Sequence, residues 1–188
     1  QRQMCIRDSG ILSKVNCSVI QEEMKKMAEP VVKNRKVSYS YTEQVQMVTS
    51  PDLNGYGRLF GGRLMEWIDV VAGIVARRHS GCKVTTAMVD TLCFRAPAYP
   101  NDTLVLAGKV THVGRTSMEV CVRTMVEDLN GMKRTINKAY LVLVALDDDD
   151  RPTEVPGLIL ETDEDKMEWE LAKKRGELRS ERRRINAN

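Results

Sequence analysis

The stretch Gly61–Gly81, GGRLMEWIDVVAGIVARRHSG, decides the fold. From about Gly62 to His79 it is free of proline, and Arg77, Arg78 and His79 stand just ahead of Gly81. Basic side chains in a last turn, with a glycine beyond, are the stop signals of a helix. Leu64, Ile68, Val71, Ala72 and Val75 make one apolar face, while Met65, Trp67, Val70 and Ile74 spread around the other. A helix apolar nearly all round is expected to be buried nearly all round. One carboxylate, Asp69, interrupts it between Ile68 and Val70. Burying a carboxylate is costly unless it is paired or hydrogen-bonded, so Asp69 is either a structural ion-pair partner or a chemical group.

Outward from this helix the period changes to 2. Lys83–Phe94, Thr103–Val113, Ser117–Asp128 and Met132–Leu146 read as strands, separated by Ala96-Pro97, Gly114-Arg115-Thr116 and Asn130-Gly131. Upstream, Val37–Val48 reads as a first strand and Ser50–Gly55 as a turn cluster. The order is strand, long helix, four strands. Short turns predict antiparallel neighbours. The expected class is α+β, an antiparallel sheet of about five strands wrapped around one long central helix. Such a sheet leaves an edge and an apolar face, which predicts pairing between subunits. The tail, Glu161–Ile185, starts acidic and ends basic and is expected as a charged, solvated helix. The organisation read from this pattern is an extension over 1–29, one domain over 30–160 and the charged helix over 161–188.

Composition excludes several function classes. With 188 residues, 42% of them hydrophobic, and a net charge of +3, the chain fits one globular domain and not a dedicated nucleic-acid binder. No run reaches 18 apolar residues, so stable membrane insertion is not expected. The two histidines, His79 and His112, lie too far apart for a helical zinc motif, and no metal site is expected. Five cysteines with no CxxC spacing argue against a disulfide framework and for a reducing, cytoplasmic compartment. The opening QRQMCIRDSG has neither helical nor strand period. Its MCIRDS string resembles the translated end of a sequencing-library adapter, which moves the expected natural start to Met24 or Met27. A short helix is expected through Val19–Met27, and the segment lacks the apolar run of a signal peptide.

Three further residues suggest chemistry. Gly61-Gly62 opens the helix, where the first N–H groups have no internal partner and the positive dipole end favours an oxyanion. Asn54 lies in the preceding turn, where its amide either serves the turn or holds a carbonyl or water. Gly62 and Asp69 are seven residues apart, about 700° at roughly 100° per residue, so they face the same way. Their axial separation is about 10 Å, too far for one carbonyl to use both from a single helix. The geometry predicts a composite site, with Asp69 from one subunit and Asn54 and Gly62 from another.

The segments NGYGRLFGGRLMEWIDVVAGIVARRHSG, TTAMVDTLCFRAPAYPNDTLVLAGKVTHVGRTSMEV and NKAYLVLVALDDDDRPTEVPGL, followed by the charged tail helix, resemble in order the hot-dog acyl-CoA thioesterases, the acyl-CoA hydrolase branch. The resemblance runs from about Lys36 to Arg184. It implies hydrolysis of acyl-CoA thioesters to a carboxylic acid and CoA, with no metal or organic cofactor. It places the catalytic carboxylate on Asp69, as general base or nucleophile, the catalytic amide on Asn54 and the oxyanion-type N–H on Gly62. Gly61, the turn Gly114, Arg115, Thr116 and Ser117, and Arg78 and His79 fall on positions that meet substrate or CoA. The resemblance also implies a homo-oligomer built as a trimer of hot-dog dimers.

Three other readings compete. A dehydratase on this fold needs a histidine opposite an acid, and His79 is at the helix end. A non-catalytic acyl-CoA sensor or scaffold has no need of Asn54 and Asp69 at this spacing. An RNA- or membrane-binding tail rests on Arg182–Arg184 alone.

Overall fold

The computed structural model describes residues 34–186. In chain order these form β1 (Asn34–Lys36), α1 (Val37–Ser40), β2 (Thr42–Met47), α2 (Gly61–Ser80), β3 (Lys83–Phe94), β4 (Thr103–Val113), β5 (Ser117–Glu127), β6 (Lys133–Leu146), β7 (Gly157–Ile159) and α3 (Asp163–Asn186). The extension over 1–29 and the helix read at Val19–Met27 lie outside the described residues.

The five long strands make one antiparallel sheet in the order β2-β4-β5-β6-β3, and α2 lies across one face of it. The core is that contact: Ile68, Val71, Ala72 and Val75 meet Leu104, Leu106, Val120, Val122, Leu141 and Leu143. Gly108 on β4 lets the helix in. A Cβ there would stand 2.8 Å from Val71 Cγ1 and 2.9 Å from Val75 Cγ2. The end of α2 is built as the sequence predicts: Gly81 takes φ 74°, and its N–H closes on the Arg77 carbonyl at 2.8 Å. The Arg35 guanidinium then donates to the carbonyl oxygens of Arg78 and His79.

Four expectations are corrected. The consecutive strands β3 and β4 are not neighbours, because the 95–102 segment carries the chain from one edge of the sheet to the other side. Arg95 and Ala96 donate to Ile136, and Ala98 accepts from Leu59, so the crossing is tied at both ends. Second, Val37–Val48 is not one strand. Val37 and Ser40, three apart, are both buried, and this spacing winds Val37–Ser40 into a helical turn before β2 begins. Residues 34–36 and 157–159 add a small parallel ladder the sequence did not suggest. Third, α2 is buried on one side only within the protomer: Met65 and Val70 are 44% and 48% exposed, in line with Asp69.

Fourth, the tail is the charged helix expected, but it is solvated on its outer side only. α3 lies on the sheet face opposite α2, where Ala172 is buried and Trp169 stacks on His112 with ring centroids 4.3 Å apart. Lys109 pairs with Asp165 at 2.9 Å, Lys138 with Glu168 at 2.7 Å, and Glu119 with both Arg175 at 2.7 Å and Arg179 at 2.6 Å. The polar outer residues of β4, β5 and β6 find their ion-pair partners here. A strand period shows that they point away from the core; it does not show that a helix covers them.

Candidate active site

The turn before α2 is fixed by its own polar atoms. The Asp52 carboxylate accepts the Thr49 hydroxyl at 2.6 Å and the Thr49 N–H at 2.9 Å and meets Arg63 of α2 at 3.2 Å. Those Thr49 bonds hold the Asp52 carboxyl below the usual carboxylate range. Asn54 Oδ1 accepts the N–H groups of Tyr56 at 2.9 Å and Arg58 at 3.3 Å, an Asx turn that spends the oxygen. Among the described residues no acceptor takes the Asn54 Nδ2, so that end of the amide is left to donate.

The turn role of Asn54 is met by its oxygen, and its Nδ2 remains for the other. Asn54 and Gly61 line a recess of about 320 Å³ together with Leu64, Phe94 and Ala98. No side chain caps α2, and the first intrahelical bond is Leu64 N–H to Phe60 O. The N–H groups of Gly61, Gly62 and Arg63 precede it and carry the positive end of the helix.

Gly62 faces a second recess of about 350 Å³, shared with Met65, Ile68, Asp69, Val89 and Leu92. Asp69 is exposed in the protomer, and its Oδ1 accepts the Thr86 hydroxyl at 2.7 Å. Thr86 is the functional candidate that the sequence reading missed. It follows Thr85 in an ordinary strand pattern, and only the return of β3 alongside α2 brings its hydroxyl to Asp69. The structure thus joins Asn54 with Gly61, and Gly62 with Asp69 and Thr86, but it does not bring Asn54 and Asp69 to one cavity.

The turn residues Gly114–Ser117 sit at the other end of α2. Gly114 N–H closes on Ser117 O at 2.7 Å, Thr116 O accepts from Ala145 and Arg115 O from Val155. The Arg115 side chain is left exposed. Nearby, Ile74, Arg77, Arg78, Lys83 and Leu146 line a recess of about 750 Å³. The 20 residues of α2 span about 30 Å, so this basic end and the Asn54 recess are far apart in one protomer. Arg78 is already held by Tyr41 O at 3.2 Å and Thr42 Oγ1 at 3.0 Å. His79 is fully buried, with Nε2 at 3.1 Å from Pro156 O, and burial holds its pKa below the usual imidazole range. It is not open to a ligand from solvent. It fixes the 152–157 segment to the helix end.

Among the described residues no helix is long and apolar enough to cross a membrane.

Comparison with known proteins gives the family. The Thioesterase superfamily pattern matches residues 56–132. A Bacillus subtilis protein named as an uncharacterized acyl-CoA thioester hydrolase is 38% identical over 71% of this chain and 78% of its own. Mouse acyl-coenzyme A thioesterase 11 is 32% identical over 88% of this chain, which spans 28% of that longer protein. The acyl-CoA hydrolase of Staphylococcus aureus, solved with butyryl-CoA and CoA, superposes with a TM-score of 0.78 at 35% identity, over 81% of this chain and 94% of that one. The same protein has been solved with a single asparagine, aspartate or threonine replaced by alanine, at positions spaced 15 and then 17 residues apart. A hexameric acyl-CoA thioesterase superposes with a TM-score of 0.78 at 38% identity, over 80% of this chain and 97% of that one. The chain belongs to the Thioesterase superfamily, as an acyl-CoA thioester hydrolase of the hot-dog fold.

Proposed function

We propose that hydrolysis takes place between two protomers, with Asn54 and Gly62 of one and Asp69 and Thr86 of the other around a single thioester. The observation that carries this is a spacing. From Asn54 to Asp69 is 15 residues and from Asp69 to Thr86 is 17, the intervals of the three alanine substitutions in the S. aureus hydrolase. Neither recess in the protomer holds both Asn54 and Asp69, which supports drawing these two from different protomers, although Gly62 also lines the Asp69 recess of its own chain.

In this reading the thioester oxygen lies on the Gly62 N–H at the positive end of α2, where developing negative charge is stabilised. The Asn54 Nδ2 donates to the same oxygen or to the attacking water. Within the partner subunit the Thr86 hydroxyl occupies Oδ1 of Asp69 and turns the other carboxylate oxygen to the water, whose proton that oxygen takes; direct attack by that oxygen is the alternative course. Collapse of the tetrahedral adduct expels the CoA thiolate, a leaving group that needs no strong acid. The scheme draws on no metal and no organic cofactor. Gly61 keeps the approach to the helix end open, and the exposed Arg115, with Gly114, Thr116 and Ser117, meets the phosphate or pantetheine part of CoA. Arg78 and His79 act behind that surface, as positioning groups. The assembly we propose is a trimer of hot-dog dimers in the cytoplasm, in keeping with the hexameric thioesterase of the same fold and the free Cys82, Cys93 and Cys121.

The deciding experiment is thiol release from a chain-length series of acyl-CoAs by the parent protein and by Asp69→Ala. The expected result is rapid release by the parent and collapse in the variant, with folding and oligomer size unchanged. Tight binding of acyl-CoA by the parent without any release would return the protein to the sensor or scaffold reading.

A further inference from the structure

β3 is the edge strand that carries Thr86, and its pairing with β6 is irregular twice. Thr86 is opposite Leu143, Met88 opposite Val142, Val89 opposite Leu141, and Thr91 opposite Tyr140. Ala87 and Asp90 are therefore extra residues, two bulges within four positions. Residues opposite one another in an antiparallel ladder share a face. Leu143, Leu141 and Ala139 belong to the core under α2, so Thr86, Val89 and Leu92 face α2 with them. An unbroken strand alternates by two and would put Asp90 on the α2 face and Val89 on the outside. The bulges reverse both. They also line Val89 and Leu92 up on the wall of the Asp69 recess.

The second bulge is reached from outside the sheet by α3, through two arginines. The Asp90 carboxylate is 4% exposed, with Arg179 Nη1 at 2.8 Å and Arg182 at 3.5 Å. Arg179 is anchored in turn by Glu119 at 2.6 Å, and Glu119 by Arg175 at 2.7 Å and the Thr111 hydroxyl at 2.8 Å. A buried, chemically unused carboxylate at the bulge is thus tied through one guanidinium to the middle of the sheet.

We infer that Arg179 and Asp90 are positioning residues for hydrolysis: the C-terminal helix clamps the second bulge of β3 and so sets Thr86 against Asp69 and Val89 and Leu92 along the acyl recess. This rests on the proposed role of Asp69 and Thr86.

The test measures kcat and KM with butyryl-CoA and lauroyl-CoA for Asp90→Asn and Arg179→Lys, well below the melting temperature of each. Asn keeps the shape of Asp90 without its charge. A lysine keeps the charge of Arg179 but has a single ammonium for two carboxylates on different strands. The expected result is a fall in kcat of about tenfold, less than the roughly hundredfold that a 1 Å misplacement of a reacting group can cause. The ratio of lauroyl to butyryl turnover should move with it. Lys174→Met, which removes an exposed charge from the same helix, should change neither. A merely destabilising effect lowers turnover of both substrates alike and leaves their ratio fixed; that result overturns the inference, as does unchanged kcat. If Asp90→Asn does not fold, Arg179→Lys decides on the same criteria. Asp69→Ala, run alongside, separates the two readings: turnover retained there overturns the site, whereas turnover lost there and unchanged in Asp90→Asn overturns the clamp alone.

Discussion

At the scale of single residues, α2 lies as close to the sheet as it does because β4 carries a glycine, Gly108, against Val71 and Val75. Val71 and Val75, which an added methyl would meet at 2.8 and 2.9 Å, are β-branched and stiff, and both lie fully buried under the sheet. The helix has to move instead. Gly108→Ala should therefore destabilise the fold by about 1–3 kcal/mol, the usual range for overpacking a core. Urea denaturation of parent and variant reads the difference. An unchanged midpoint would mean that α2 shifts freely on the sheet. In the sequence, Asp69 stood out because a carboxylate sits in an apolar helix, and Gly61-Gly62 because two glycines open it. Thr86 gave no such signal, since a threonine in a strand is ordinary and its partner is 17 residues away on another element. Gly108 was equally silent, and its importance lies in a distance.

At the scale of elements, α2 was legible from end to end because its caps and its length are local properties. The strands were legible as strands, but their order was not. Period 2 gives each strand two faces and says nothing of its neighbour, so β3 and β4 look adjacent when the 95–102 crossing separates them. α3 shows the same limit. Its charges look like a solvated face until the matching charges of β4, β5 and β6 are brought beneath it. Those pairs carry a pH signature. Burial opposes ionisation of Glu119, yet hydrogen bonds from Arg175, Arg179 and Thr111 outweigh it and hold its carboxyl below the usual range. Glu168 is lowered against burial by Lys138 and Tyr140, and Asp165 by Lys109 and Thr162. A carboxylate whose folded pKa is depressed stabilises the fold above its unfolded value, near 4 for Asp and Glu, and that stability is lost as pH falls through the folded value. α3 should therefore loosen from the sheet below about pH 4. In a Trp67→Phe background the emission of Trp169 should shift to the red in that window, ahead of the loss of helical ellipticity. Trp169 emission that holds steady until the whole chain unfolds would show that apolar contacts, not these ion pairs, seat the helix.

At the scale of the whole molecule, the protomer is unfinished in a consistent way. Met65 and Val70 are exposed on α2, Val89 and Phe94 on the edge strand β3, and Asp69 lies among them. The sequence led to the expectation of a partner from the open edge and apolar face that one sheet with one helix leaves. If the missing half of each site is a second copy, the halves can be supplied by different chains. Asn54→Ala and Asp69→Ala should each be nearly inactive alone. Unfolded together and refolded at equal concentration, half of the random dimers are mixed. Each mixed dimer carries one site with both defects and one site with neither, by the two-fold symmetry of such an interface. The mixture should recover about a quarter of the parental thiol-release rate, since half of the dimers have one of two sites restored. A site built within one chain gives no recovery at any mixing ratio, because every site then keeps one defect. The size of the recovered rate thus reports directly on whether Asn54 and Asp69 act across the interface.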